Sequence, residues 1–93
     1  MINIHNYYNH MNRIIEILES NYFNIYNIIM IFIDIDKPNL IDIHNYLIKN
    51  IRIDSIKNNN IMGKDILEFT YRNRQCDIMI LNNNIIITLF PIK

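Results

Sequence analysis

The apolar positions of this chain follow two periods, one after the other. Tyr7, Tyr8, Met11, Ile14, Ile15 and Leu18 recur every three or four residues, with Asn9, Asn12, Arg13, Glu16 and Glu19 opposite them. That is the spacing of a helix with one buried stripe. Asn6 can cap its start and Ser20-Asn21 can end it, so a helix is predicted over about residues 6–20. The pattern then changes. Ile28-Ile29-Met30-Ile31-Phe32-Ile33 is a continuous apolar run of mostly β-branched and aromatic residues, followed by alternation through Asp34, Ile35 and Asp36. A strand apolar on both sides reads as an inner strand of a covered sheet.

Pro38 suits the first turn of a second helix, because its missing N–H costs nothing there. Leu40, Ile41, Ile43, His44, Leu47 and Ile48 give this helix a broad apolar side as far as Asn50. Ile51, Ile53 and Ile56 predict a short strand ahead of the polar run Lys57-Asn58-Asn59-Asn60, and Gly63 marks a tight turn. Three strand-like stretches complete the chain: Ile66 to Tyr71, Cys76 to Leu81 and Ile85 to Phe90. Their links, Arg72-Asn73-Arg74-Gln75 and Asn82-Asn83-Asn84, can close hairpins, since Asn tolerates positive φ better than other non-glycine residues.

The expected fold is a single α+β domain over residues 1–93 in the order α-β-α-β-β-β-β. The strand–helix–strand part predicts a parallel crossover and the last strands an antiparallel meander. Together these make one mixed sheet in a two-layer sandwich with both helices on one face, and the other face, which carries Ile and Met in places, is a candidate interaction surface. The last strand, Ile85 to Phe90, is expected at an open edge.

Composition adds an origin rather than an activity. The chain holds 25 Ile and 17 Asn but no Ala, Val or Trp, and a single Gly. A core does not require that bias, whereas an AT-rich genome, such as that of a virus or an AT-rich parasite, produces it through codon usage. An apolar content of 51% is high for a body with so much surface to keep wet. It implies either Ile drifting onto the surface or a face covered by a partner. Nine basic and nine acidic residues cancel and are scattered, which argues against nucleic-acid binding. It also leaves nothing to hold copies of the chain apart. Lone Cys76 excludes a disulfide framework. The N-terminus lacks a signal-peptide pattern, and no apolar run reaches the ~20 residues of a membrane span. An intracellular location is expected, in the cytoplasm, a host cytoplasm or an organelle matrix.

Candidate chemistry is sparse. Asp34 and Asp36 end a hydrophobic strand, where paired carboxylates can hold Mg²⁺ or supply an aspartyl nucleophile. Ile31-Phe32-Ile33-Asp34-Ile35-Asp36 resembles the first motif of the haloacid dehalogenase-like phosphohydrolases. The chain departs from that motif at Lys37-Pro38, and the family's later Ser/Thr, Lys and acidic motifs have no counterpart. The plainer reading makes the two aspartates a solvated strand end, with Asp36 capping the next helix. His5 and His10 are five residues apart and so lie on different helix faces, and His44 sits alone. Cys76 has no motif around it and reads as a small core filler. Ser20 and Ser55 lack a nucleophile turn, and one glycine cannot build a phosphate loop. Tyr71 with Arg72 and Arg74 could stack and neutralise a nucleotide.

The leading expectation is a non-enzymatic protein-binding module, without cofactor. It would be an accessory subunit of a larger assembly or a small viral or pathogen protein, paired with itself or with a partner protein. Its binding residues would be Tyr71, Arg72 and Arg74 at a hairpin tip and Ile85, Ile87 and Leu89 on the open last strand. The alternatives are a small nucleotide- or RNA-binding domain using Tyr71, Arg72 and Arg74, and a Mg²⁺-dependent phosphotransfer enzyme using Asp34 and Asp36.

Overall fold

The computed structural model describes residues 4–20 and 26–92, with side chains from Met11 onward. Helix α1 spans Ile4–Ser20, strand β1 Ile29–Asp34, helix α2 Leu40–Asn50, and strands β2 to β5 Asp54–Ile61, Lys64–Tyr71, Arg74–Leu81 and Asn84–Leu89. The fold is therefore α+β, with the elements in the expected order. Expectations that rested on His5, Asn6, Tyr7, Tyr8, Asn9, His10 and Asn21 lie outside the described residues and side chains.

Local chemistry accounts for most boundaries. Asn39, not Asp36, caps α2: its extended backbone lets Oδ1 accept from Ile41 N at 2.8 Å and Asp42 N at 3.2 Å. Pro38 precedes that cap instead of opening the helix. All three hairpins are two-residue turns with left-handed residues, Met62 and Gly63, Arg72 and Asn73, and Asn82. Arg74 and Gln75, predicted to be part of a loop, already belong to β4. The polar run Lys57–Asn60 is strand too. It pairs residue for residue with Asp65–Glu68, and the Asn59 and Asn60 side chains donate across the ladder to Glu68 and Asp65. Polar cross-strand bonds do there what apolar alternation does elsewhere.

The strand order is β1-β5-β4-β3-β2, and every neighbouring pair is antiparallel. This corrects two expectations. The sheet is not mixed, because β1 and β2, though they run the same way, stand at opposite edges with three strands between them. The last strand is not an edge, because β5 lies between β1 and β4. Conversely β1, read as an inner strand, is itself an edge. The swap has a physical cause: a run apolar on both sides reports what the strand could bury, not what covers it.

Register places Ile31, Ile87, Ile78 and Leu67 in one cross-strand row, with Leu89, Cys76 and Phe69 beside them on the same side of the sheet. These side chains form one core with Met11, Ile14, Ile17 and Leu18 of α1 and Ile43 and Leu47 of α2. Tyr46 Oη on α2 reaches Asn12 Oδ1 on α1 at 3.5 Å. The other side of the sheet carries Met30, Phe32, Ile86, Met79, Glu68 and Asp77.

Met62 occupies a left-handed position, φ 54, ahead of Gly63 at φ 80, and its side chain is almost wholly exposed. Asn suits that conformation better than Met does. The variant Met62→Asn is therefore expected to raise stability by about 0.5 kcal/mol in denaturant melts, with no change in fold.

Candidate functional site

The hairpin-tip residues do not form one exposed surface. Tyr71 is buried, and its register partner Arg74 is 2% exposed. Arg74 Nε donates to the Phe90 carbonyl at 2.8 Å, and one Nη donates to the Asn27 carbonyl at 2.9 Å and toward that of Leu89 at 3.5 Å. A planar guanidinium with several fixed donors suits such a set of carbonyls; a lysine could not span it. Arg74 thus works as an internal clamp between the start of β4, the end of β5 and the lead into β1. Arg72 stays exposed with its guanidinium 5.1 Å from the centre of the Tyr71 ring, a cation–π contact that covers the ring further. Burial pushes the Tyr71 hydroxyl pKa up, partly opposed by Arg72. Of the three proposed base-stacking residues, only Arg72 remains at the surface.

Ile85 and Ile87 are fully buried and Leu89 nearly so, all within the core, so they offer no edge to another chain. Asp34 ends β1 opposite Asn84, and Asp36 follows in the turn, both exposed. Among the described residues no group of three or more His, Cys, Asp or Glu gathers where a metal ion could be held. His44 is half-buried on α2 without such a set around it. Cys76 lies in the core, where burial pushes its thiol up to about 12, so it stays a protonated, unreactive thiol at neutral pH.

The side of the sheet away from the helices, expected from its Ile and Met to be a candidate interaction surface, does carry such residues. Its rows run Phe32, Ile86, Met79, Ile66, Asn59 and Met30, Thr88, Asp77, Glu68, Lys57. Ile86 is buried between Phe32 and Met79, yet Phe32 and Met30 are 61% and 56% exposed, and Ile28 just before them is 61% exposed. Beyond them lies a trough lined by Lys57, Glu68, Thr70, Gln75, Asp77 and Phe90. Asp77 and Glu68 face each other directly across the strands. Burial raises the Asp77 carboxyl above its ordinary pKa, a hydrogen bond from Gln75 Nε2 at 3.1 Å lowers it, and Glu68 raises it again. The one available signal for this surface was the unbroken apolar run at 28–33, whose even-numbered members have no cover in this fold.

The two edges of the sheet differ sharply. In β2, an extra residue between Asp54 and Lys57 breaks the register with β3, and Ser55 adopts φ 57, a bulge that bends the edge. Lys57 and Asn58–Asn60 make the middle of that edge polar, and Ile61 at its end is half-exposed. In β1, six consecutive pairs with β5 run without interruption, and the strand holds no Lys, Pro or bulge. β2 carries a bulge, a Lys and a polar run, features by which proteins protect a free edge; β1 carries only the terminal Asp34.

No helix among the described residues is long and apolar enough to cross a membrane. Comparison with protein families, with characterised proteins and with solved structures returns no match for this chain.

Two outcomes follow from these side chains. Removing the Arg74 clamp in Arg74→Met leaves its buried carbonyls without that donor and should cost about 2–3 kcal/mol in chemical unfolding, with Arg74→Lys restoring less than half. For Asp77 the sign runs opposite to a salt-bridged carboxylate. Its folded pKa lies above the unfolded one, so its charge opposes folding at neutral pH, and the penalty fades as pH falls through the raised pKa toward the ordinary carboxylate range. Asp77→Asn should therefore stabilise the chain by roughly 0.2–1 kcal/mol at pH 7 and by nothing measurable below the carboxylate range.

Proposed function

We propose that this chain is a non-enzymatic protein-binding module that docks through the β1 edge and the apolar side chains beside it. The observation that carries this reading is the contrast between the sheet's two edges: the bulged, polar β2 and the straight, apolar β1. An unprotected edge strand adds a strand from another chain by main-chain hydrogen bonds, with alternate side chains giving specificity. Ile28, Met30 and Phe32 are each more than half exposed on the side that β1 would present. Burying such side chains is worth roughly 1.5–3 kcal/mol apiece, a gain the isolated chain forgoes.

In this reading both helices cover one side of a two-layer sandwich, and the other side stays available to the partner. The chain acts inside a cell as an accessory subunit, or as a small viral or pathogen protein that binds and modulates another protein. The Ile- and Asn-rich composition and the zero net charge fit that role, and no cofactor takes part. A nucleotide-binding surface at the hairpin tip keeps only Arg72, and phosphotransfer at Asp34 and Asp36 lacks further acidic or histidine groups among the described residues.

The test is a photo-crosslinking amino acid at position 30 or 32 of the full chain in cells, with position 61 on β2 as the reference. Protein adducts are expected at 30 and 32 in clear excess over 61, and Phe32→Lys should abolish those formed at 30. Equal labelling of both edges, or none at β1, would remove the proposal.

A further inference from the structure

The β1 strand is self-complementary, which points to a particular partner. We propose that its occupant is a second copy of this chain: two β1 strands pair antiparallel about a two-fold axis through Ile31, and one sheet continues through both copies. The inference rests on the reading of β1 as a docking edge and names what docks there.

In that register Ile29 stands opposite Ile33 of the other copy, Met30 opposite Phe32, and Ile31 opposite itself. Every one of these side chains is apolar. The alternation is kept as well. Ile29, Ile31 and Ile33 remain on the core side, where Ile29 and Ile31 are now half-buried, and their opposite numbers extend the core across the seam. Met30 and Phe32, over half exposed in one copy, cover each other from two copies. The strand's one charge, Asp34, sits at its end, opposite Ile28 of the other copy and well away from its own counterpart. With a net charge of zero, the copies meet without long-range repulsion.

The far edge limits the assembly. A sheet free at both edges would keep adding chains, but the β2 bulge, Lys57 and the Asn run oppose pairing there, so association closes at two. A strand of six residues is about 20 Å long and covers less than the ~800 Å² per partner of a standard interface. The dimer should accordingly be weak, with a dissociation constant in the micromolar range.

Light scattering after size exclusion on the full chain, from low micromolar to near-millimolar concentration, tests this. The mass should rise from the monomer's 11.3 kDa toward twice that value. Phe32→Lys and Met30→Lys should each weaken the dimer roughly tenfold or more while far-UV circular dichroism stays unchanged, and Ile61→Lys on β2 should leave it intact. A mixture of Met30→Lys and Phe32→Glu chains should associate more tightly than either alone, because the register sets those positions opposite each other. A monomer at every concentration overturns the dimer, as does a dimer indifferent to both β1 substitutions, or a mixture no tighter than its components. Should the dimer fail while crosslinks from positions 30 and 32 to a different protein persist, the docking edge stands and only its occupant was wrong. Loss of both removes the two readings together.

Discussion

A single buried cation fastens the end of the sheet where β1 begins, beside the six-pair ladder that holds β1 on β5. Arg74, at the first residue of β4, reaches across β5 to the carbonyls of Leu89 and Phe90 and on to that of Asn27, the residue that leads into β1. A guanidinium taken out of water is costly unless its donors are met, and here backbone carbonyls from two separate segments meet them. The same group therefore fastens three strands at one end of the sheet. Phe90 N donates to Gln75 O at 3.0 Å alongside, so the clamp and the last ladder bond act at one point.

With β1 fastened against β5, the remaining architecture follows from chain connectivity. Three two-residue hairpins fix β2 to β5 as a meander, which leaves a sheet edge on each outer strand. β1 takes the β5 side, and α2 has to carry the chain across the whole sheet to reach β2. Ile43 and Leu47 pack into the core on that path, alongside the α1 residues. The result is a sheet with one side filled by helix residues and one side whose apolar members, Ile86 excepted, lie open or half-open. A small domain of high apolar content has few other places to put them.

The proposed function accordingly rests on surfaces, since the reactive groups among the described residues are mostly used within the fold. The thiol is buried and protonated, the tyrosine and one arginine of the hairpin tip are used internally, and the two strand-end aspartates stand without further ligands among the described residues. What is left over is a straight, largely apolar strand that pairs on one side only among the described residues, with Ile28, Met30 and Phe32 exposed on it and just before it. Self-pairing would make β1 the inner strand that its sequence resembles.

Periodicity alone carried α1, α2 and the three C-terminal strands, because side-chain spacing at three to four or at two is set by local backbone geometry. Asn-rich links likewise announced hairpins, since tolerance of positive φ is a property of the residue itself. Strand neighbours are a different kind of quantity. Whether Ile29–Asp34 or Asn84–Leu89 takes the edge depends on which segments meet after the chain has crossed the sheet, and no local pattern records that. The same holds for Arg74, whose sequence neighbours suggest an exposed turn and whose partners lie 15 and 47 residues away. Lys57–Asn60 shows the converse: their side chains favour a loop, and only the facing Glu68 and Asp65 make them a strand. Sequence determined most of the helix and strand segments, Lys57–Asn60 excepted; the tertiary structure decided which of them are covered, because burial belongs to pairs of segments and not to either one.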